Sequence, residues 1–205
     1  QMEPQGVVSH LGANVATDAS AADLEKQYDA LLLAMGSETP FDFFANSPGR
    51  DLDGIHYAMD FLTQQNRRVA GEPQLPGTKE ISAKGKHVAG GKVKKLHYVH
   101  VDQKMQPVPG SDATLDADLV LFAMGFSGPK DGGALSSLNL EPVARGRFKG
   151  LNANERDYRL AGGGKLFAAG DVRRGQSLVV WAIREGRQAA ASIDQFLMGT
   201  TLLPR

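Results

Sequence analysis

The stretch LFAAGDVRRGQSLVVWAIREGRQAA, residues 166–190, decides the fold class of this chain. Its first residues are a short apolar run that ends in a Gly-Asp pair, which is typical of a buried strand that stops at the edge of a sheet. From Ser177 onward, apolar and small residues recur every three or four positions, which predicts a long helix with Ser177 as its N-cap. The unit is therefore strand, turn and helix, and this unit is the building block of α/β proteins.

Two arginines, Arg173 and Arg174, stand just ahead of the predicted helix. There each opposes the helix dipole by about 0.3–1 kcal/mol. Because the free N–H groups of a helix start attract anions, a phosphate or the electron-rich end of a flavin would reverse this cost. Asp171 ends the strand at the edge where α/β sheets bind ligands, and its carboxylate can accept hydrogen bonds from sugar hydroxyls. The alternative is a surface turn in which Asp171 pairs with an arginine.

The spacing of the long helix also predicts which of its faces is buried. The residues of that face follow one another at intervals of four and three: Val179, Ile183, Gly186, Ala190, Ile193 and Leu197. Two members of the face, Gly186 and Ala190, are very small. We therefore expect this helix to lie close to the strands beneath it.

Similar signals recur along the rest of the chain. The run YDALLLAMG (28–36) predicts a strand that is buried on both faces and follows a short helix over 20–27. The run DLVLFAMG (118–125) predicts a second buried strand. DLVLFAMG matches DALLLAMG (29–36) at five of eight positions, which hints at two similar α/β lobes. Residues 54–68 predict a helix with Ile55, Met59 and Leu62 on one face. Residues 92–103, followed by a turn at 109–112, predict an antiparallel meander.

The composition excludes several classes of function. Lys and Arg together number 23, as do Asp and Glu, so no net charge attracts nucleic acid or an anionic membrane. The chain has no cysteine, which excludes disulfides, thiolate metal sites and cysteine nucleophiles and fits a cytoplasmic protein. No segment has the apolar length of a membrane span.

Other candidate sites are weak, and no catalytic or metal-binding residue is predicted. His97 and His100 point to opposite faces of a strand, so they cannot share one metal. Asp51 and Asp53 are more typical of a turn than of an acid/base pair. The run GKHVAGGK (85–92) fails as a phosphate-binding loop because its first glycine is misplaced and Val93 stands where Ser or Thr is needed.

Four stretches, in chain order, resemble one family of flavoproteins with two dinucleotide-binding domains. The most specific is FAAGDVRRGQSLVVWAIREGRQAA with the nearby FLMG, which closely resembles the C-terminal FAD-binding signature of NADPH-dependent glutamate synthase small subunits. YDALLLAMG resembles the strand that closes the first FAD segment. GRDLDGIHYAMDFLTQQNRRVAG resembles the crossover into the pyridine-nucleotide domain, and DADLVLFAMGFSGP resembles that domain's return strand.

The resemblance implies a fold and an order of domains. The fold is α/β, a fragment of a two-dinucleotide-binding-domain (Rossmann-like) flavoprotein with an antiparallel β-meander. Residues 1–54 would form part of the FAD-binding domain, residues 55–152 a shortened NAD(P)-binding domain, and residues 153–205 the return to the FAD-binding domain.

The same resemblance implies cofactors, a partner and site residues. In the family, NADPH reduces FAD, and electrons leave through iron–sulfur clusters toward the glutamate synthase large subunit, where glutamate is made. Asp171 would hold the ribityl chain of FAD, and Gly125 would lie near the nicotinamide nucleotide. Gly36 and Gly170 would allow close backbone approach to the cofactor. The amides presented to the flavin would be those of Gln176, Ser177 and Leu178.

Departures from the family pattern limit what this chain is expected to do. No G-x-G-x-x-G loop for the FAD pyrophosphate occurs, since the family carries it upstream of YDALLLAMG, and no cysteine is present for iron–sulfur clusters. The nucleotide-binding core is expected to be excised near Val88–Ala89, and Phe41 replaces a usual arginine. We therefore do not expect tight binding of FAD or NADPH by this chain alone.

Three alternatives to an active enzyme subunit follow. The chain is a non-catalytic remnant of the fold, a part of a longer protein, or a related flavoprotein such as a pyrimidine-reducing dehydrogenase. The run that contains Gln176, Ser177 and Trp181 favours glutamate synthase over the last of these.

Overall fold

The computed structural model describes residues 2–82, 91–162 and 164–205, so the predicted junction at Val88–Ala89 lies outside the described residues. The chain divides into two compact units. The terminal unit consists of Gln1–Phe41 and Gly125–Arg205, and the middle unit of Asp42–Met124. The assignment of residues 1–54, 55–152 and 153–205 to FAD- and NAD(P)-binding domains stays a prediction.

The described helices and strands are short, apart from α2 and α5. The helices are α1 (Ala21–Gln27), α2 (Ala58–Val69), α3 (Gly133–Ser137), α4 (Asp171–Arg174) and α5 (Val179–Met198). The strands are β1 (Leu31–Leu33), β2 (Thr39–Pro40), β3 (Ile55–Tyr57), β4 (Lys95–Tyr98), β5 (Ala113–Asp116), β6 (Val120–Phe122), β7 (Phe126–Gly128), β8 (Val143–Arg145), β9 (Phe148–Gly150) and β10 (Leu166–Ala168).

In the terminal unit, β1 and β10 form a parallel pair, with Leu32 opposite Phe167. Helix α1 precedes β1, and the Ser20 hydroxyl accepts a hydrogen bond from the Asp23 amide at 3.3 Å, so the predicted N-cap is confirmed. Leu33 is buried, whereas Leu32 is exposed. The prediction that this strand is buried on both faces is therefore wrong, because neighbouring side chains of a strand point to opposite faces.

The core of the terminal unit collects around the carboxyl ends of this strand pair. Antiparallel pairs β2–β7 and β8–β9 lie in the same unit. The buried side chains of the core are Ala21, Leu33, Leu135, Leu138, Leu151, Ala153, Leu160, Ala168 and Val172. Because Val172 belongs to α4, the turn after β10 is anchored in this core.

The middle unit also contains a parallel pair, formed by β3 and β6. Residues 55–57 thus form a strand, and the helix predicted from residue 54 begins only at Ala58. Apolar periodicity cannot reveal this pairing, because the partner strand lies more than 60 residues away in the chain. Met59 and Leu62, which share the apolar face of this helix, are both exposed. The buried side chain is that of Gln64, which accepts a hydrogen bond from the Ile81 amide at 2.9 Å.

The predicted antiparallel feature is present as the pair β4–β5 in the middle unit. The two similar apolar runs lie in different units, since β1 belongs to the terminal unit and β6 to the middle unit. Each of these strands has a parallel neighbour. The α/β fold class is therefore confirmed. None of the helices in the described residues is both long and apolar enough to cross a membrane.

Gly54 is a position in the middle unit where only glycine fits. Its φ is +94°, and an added Cβ would lie 2.8 Å from Val93 Cγ1 and 2.9 Å from the Asp118 carbonyl oxygen. We expect Gly54→Ala to lower the free energy of unfolding by about 2–4 kcal/mol, through backbone strain and overpacking together. Denaturant unfolding measures this change.

Gly71→Ala is the matched control for Gly54→Ala. The backbone φ of Gly71 is +71°, but a Cβ added at this position would meet no atom within 4 Å. We expect this substitution to cost about 1 kcal/mol, from backbone strain alone. Equal losses for the two variants would contradict the close approach of Val93 and Asp118 to Gly54.

Candidate functional site

The candidate site is the turn that joins β10 to α5, residues 169–178, which we call the β10–α5 turn. It begins where β10 ends, and the Ala169 amide donates to the Leu33 carbonyl of β1 at 3.1 Å. Gly170 follows with φ +76° and ψ −152°, a conformation available essentially only to glycine. The one-turn helix α4 then leads through Gly175 to α5. The turn therefore lies at the carboxyl edge of a parallel strand pair, where α/β proteins bind ligands.

The two arginines of this turn share one carboxylate partner from the chain itself. Glu185 of α5 is fully buried, and Arg173 is 3% exposed. Glu185 Oε2 accepts hydrogen bonds from Arg173 Nε at 3.2 Å and from the Gly170 amide at 2.8 Å. Glu185 Oε1 accepts hydrogen bonds from Arg173 Nη2 and from Arg174 Nε, the latter at 2.7 Å. The predicted anion beside the arginines is thus Glu185, and the prediction that a cofactor neutralises them is wrong.

The hydrogen bonds of this cluster keep both buried partners ionised. Burial alone would raise the pKa of Glu185, but the bonds from Arg173, Arg174 and the Gly170 amide outweigh it and hold that pKa below its usual value. Burial alone would lower the pKa of Arg173, yet Glu185 holds it above the usual value. The carboxylate and the guanidinium therefore form a charged, buried pair.

Aromatic rings complete the surroundings of the two arginines. The Arg173 guanidinium lies 5.1 Å from the centre of the Tyr158 ring, and that of Arg174 lies 4.5 Å from the Trp181 ring. The Tyr158 hydroxyl donates a short hydrogen bond to Gln188 Oε1. Burial, followed by the charge of Glu185, raises the pKa of Tyr158. Each arginine is thus held between Glu185 and an aromatic face.

Within the described residues, Asp171 forms no ion pair with an arginine, so the alternative predicted for the turn is also wrong. Its Oδ1 accepts a hydrogen bond from the Ser177 hydroxyl at 2.8 Å. The prediction that Ser177 caps α5 is wrong, because its hydroxyl is used in this bond. The N-cap is Leu178, and its side chain makes no capping hydrogen bond. Among the described residues, no acceptor is recorded for the amides of Gln176, Ser177 and Leu178. The turn therefore combines a carboxylate held by Ser177 with three amide donors that have no acceptor in the described part of the chain.

The structure brings the predicted glycines to the same part of the terminal unit. Gly36 follows β1 and Gly170 follows β10, so both lie beyond the carboxyl ends of neighbouring parallel strands. An added Cβ at either position would meet no atom within 4 Å. Gly125 packs against the side chain of Gln176, whose Oε1 accepts a hydrogen bond from the Phe126 amide at 3.1 Å. The Ser37 hydroxyl, beside Gly36, is buried with no partner in the described chain, and sequence reasoning missed it.

The rotation of α5 differs from the prediction. Its buried residues are Glu185, Ala189, Ala191 and Ser192. By contrast Val179, Ile183 and Leu197 of the predicted buried face are 71%, 57% and 49% exposed. The reason is the ion pair, since Glu185 must face Arg173 and Arg174 and thereby turns the apolar stripe to one side. Sequence reasoning missed Glu185, although it lies within the family motif, and Tyr158, because no periodic signal marks either residue as a partner of the arginines.

In the part of the chain that the structure describes, no group of three or more His, Asp or Glu side chains could hold a metal ion.

Comparison with known proteins supplies the family context of this geometry. No family model matches the chain. The glutamate synthase [NADPH] small chain of Mycobacterium tuberculosis (strain CDC 1551 / Oshkosh) is 32% identical over 286 aligned positions, which cover 100% of this chain and 56% of the relative. This chain is homologous to the glutamate synthase small chain. The small chain of Bacillus subtilis (strain 168) is 26% identical and covers 98% of this chain and 57% of its own length.

This chain spans about half the length of the glutamate synthase small chains that it matches. The M. tuberculosis alignment has 286 positions whereas this chain has 205 residues, so at least 81 aligned positions have no residue here. The comparison does not locate these gaps along the chain, so the excision near Val88–Ala89 stays a prediction. A solved structure of M. tuberculosis FprA in complex with NADPH is 16% identical, covers 83% of this chain and 43% of its own, and has a TM-score of 0.34.

Proposed function

We propose that this chain is part of an NADPH- and FAD-dependent oxidoreductase of glutamate synthase type, and that its β10–α5 turn supplies contacts to the flavin. The observation that carries the proposal is the similarity to the glutamate synthase small chain, which extends over the whole length of this chain. The geometry of the turn supports it, because a carboxylate, free amides and flexible glycine backbone meet at the ligand-binding edge of a parallel strand pair.

Asp171 is the proposed anchor of the ribityl chain. Its Oδ1 is held by Ser177 at 2.8 Å, which orients the carboxylate, and Oδ2 remains available to accept a hydrogen bond from a ligand hydroxyl. The amides of Gln176, Ser177 and Leu178 would donate to the polar edge of the flavin ring. These groups fit a ligand with several hydroxyl and carbonyl oxygens.

The glycines would allow the cofactor to approach the backbone. Gly36 and Gly170 both have positive φ and open space where a side chain would stand, so a flat ring or a sugar can lie against them. For Gly125 the contact found is with Gln176, and its position near the nicotinamide nucleotide is a proposal.

The net charge of the β10–α5 turn determines which part of the cofactor this turn would bind. Because the carboxylates of Glu185 and Asp171 together balance the two positive charges of Arg173 and Arg174, the turn carries little net positive charge to offer a pyrophosphate. It suits the uncharged ribityl and ring portions, while the Gly-rich loop for the pyrophosphate is absent from this sequence. When bound, FAD would take up a hydride from NADPH and supply electrons for glutamate formation. The proposed recipient is the large subunit of glutamate synthase.

The fluorescence of Trp181 tests the proposed site, because it is the single tryptophan and lies on the first turn of α5. We expect FAD to quench this fluorescence with weak affinity. Asp171→Asn should weaken FAD binding about tenfold, since it removes a charge-assisted hydrogen bond worth about 1.4 kcal/mol. Asp112→Asn, an exposed carboxylate of the middle unit, is the control and should leave the affinity unchanged. Equal affinity of the wild type and Asp171→Asn would contradict the role of Asp171.

A second candidate function, a non-catalytic remnant, is favoured by the 81 or more aligned positions that this chain lacks. The visible spectrum after FAD addition and desalting separates the two. A retained yellow flavin that NADPH bleaches would exclude the remnant. A colourless protein whose Trp181 fluorescence is unchanged by FAD would exclude the oxidoreductase function for this chain.

A further inference from the structure

Helix α5 carries an apolar stripe that the terminal unit does not use. The stripe consists of Val179, Ile183, Gly186, Ala190, Ile193 and Leu197, and we call it the α5 seam. The buried contacts of α5 are made instead by Glu185, Ala189 and Ser192, on a neighbouring side of the helix. Three large members of the seam are roughly half or more exposed. A row of neighbouring exposed apolar side chains is typical of an interaction site.

The spacing of the seam is that of a helix pair. Val179, Gly186 and Ile193 repeat every seven residues, and so do Ile183, Ala190 and Leu197. The first series occupies the d positions of a coiled coil and the second series the a positions. In a coiled coil, a second helix packs along this stripe. Since the seam lies beside the buried face and not on it, a second helix can reach it without displacing the strands.

The order of residues along the seam selects the direction of the second helix. Measured from Gln188 in both directions, the seam reads large, large and small: Val179 and Leu197 are nine residues away, Ile183 and Ile193 five, and Gly186 and Ala190 two. An antiparallel second copy would therefore place each of these residues opposite its counterpart. Such a contact is self-complementary about a two-fold axis, the commonest symmetry of soluble oligomers.

The small centre of the seam has no explanation within the chain itself. Glycine is unfavourable inside a helix compared with alanine, yet an added Cβ at Gly186 would meet no atom within 4 Å. The packing of the chain thus does not require glycine at this position. In an antiparallel pair, Gly186 would face Ala190 of the second copy, and both would allow the helix axes to come close at the crossing point.

Charged residues beside the α5 seam also fit an antiparallel second copy centred on Gln188. Arg187 and Asp194 flank it on one side, at the e positions that pair with each other in antiparallel coiled coils. On one helix they stand seven residues apart, about 10 Å, which is too far for an ion pair. Neither has a salt-bridge partner within residues 2–82, 91–162 and 164–205. In the antiparallel pair, Arg187 of each copy would lie beside Asp194 of the other.

We propose that two copies of this chain associate through the α5 seam as an antiparallel, two-fold symmetric helix pair. The pair is short, since 20 residues of helix span about 30 Å. The interface is therefore at the small end of specific interfaces, and we expect a dissociation constant on the order of 10 µM.

Sedimentation equilibrium tests the association. The mass should rise from 21.9 kDa toward twice that value as concentration increases. Arg187→Asp and Asp194→Arg should each weaken the dimer about tenfold or more, because like charges would then face each other, and the double variant should restore it. Arg184→Asp, which changes the same charge on another side of α5, is the control and should leave the dimer intact. Circular dichroism confirms that each variant is folded.

Cysteine cross-linking tests the direction, because the chain has no cysteine of its own. In the antiparallel pair, Val179 faces Leu197 of the second copy, while two copies of either residue stand about 27 Å apart. A mixture of Val179→Cys and Leu197→Cys should form a disulfide-linked dimer, and each variant alone should not. If the protein is a monomer at all concentrations, the proposal is overturned, and the α5 seam does not bind a second copy. Cross-linking of each variant with itself, the sign of a parallel pair, would overturn it too.

Discussion

Glu185→Gln is expected to lower the free energy of unfolding by about 3–5 kcal/mol, a large share of the stability of a domain of this size. Glu185 is fully buried and provides the counter-charge of Arg173, which is 3% exposed. Glutamine keeps the shape but removes the negative charge, so the Arg173 guanidinium would stay buried without a full partner. Urea unfolding measures the loss as a lower midpoint.

Glu155→Gln is the matched control, because this carboxylate also reaches Arg173. Its Oε1 lies 3.9 Å from Arg173 Nη1, but the side chain is 86% exposed. Water screens such a pair, and we expect a change of about 0.5 kcal/mol or less. Similar losses for the two variants would contradict the dominance of the buried pair.

The contribution of Glu185 is also expected to depend on pH. Its pKa in the folded chain is below the usual value, so the unfolded chain takes up this proton at a higher pH than the folded chain does. The stabilisation is therefore complete above the unfolded pKa and is lost as the pH falls through the folded pKa. The difference in unfolding free energy between wild type and Glu185→Gln should be greatest near neutral pH and shrink below about pH 4.5. A difference that stays constant down to pH 3 would contradict the shift.

Phe167→Ala is expected to cost about 3–5 kcal/mol as well, through loss of packing and not through charge. Phe167 is 1% exposed at the centre of β10, opposite Leu32 of β1. Its ring meets that of Phe196 of α5 edge to face, with centroids 5.6 Å apart. Removing it leaves a cavity between the strand pair and the helix. Thermal or urea unfolding measures the loss.

Phe196→Ala separates burial from ring contact. It removes the same aromatic pair, but Phe196 is 40% exposed, so less buried surface is lost than with Phe167. We expect about 1–2 kcal/mol from the ring contact and the smaller buried area together. A loss as large as that of Phe167→Ala would mean that the edge-to-face contact, and not the burial of Phe167, stabilises this layer.

Local signals predicted the elements that depend on neighbouring residues. The Ser20 cap of α1, the strand ending before Gly170 and the length of α5 follow from residue types within a few positions of one another. The strand β3 was missed because its pairing with β6 is non-local. The exposed face of α5 was assigned to the core for a similar reason, since apolar residues mark a surface to be covered but do not say by what.

The candidate site also divides into features that local sequence predicted and contacts that it did not predict. The sequence placed Asp171 and Gly170 at the end of a strand, and the structure confirms that position. It did not show that Ser177 binds Asp171 instead of capping α5, because a serine hydroxyl can serve either role over the same few residues. The roles of all seven predicted residues in cofactor binding stay predictions.

The sequence by itself determined the order strand, turn and helix at residues 166–198, the α/β class, and the resemblance to a flavoprotein family. These depend on periodicity, on turn residues and on a long motif, all of which are contained in contiguous sequence. Only the tertiary structure decided what neutralises Arg173 and Arg174. Glu185 reaches them because the turn folds α5 back beside β10, and a charge eleven or twelve residues along the chain finds its partners only through that geometry. The same ion pair sets the rotation of α5 and leaves the α5 seam facing outward.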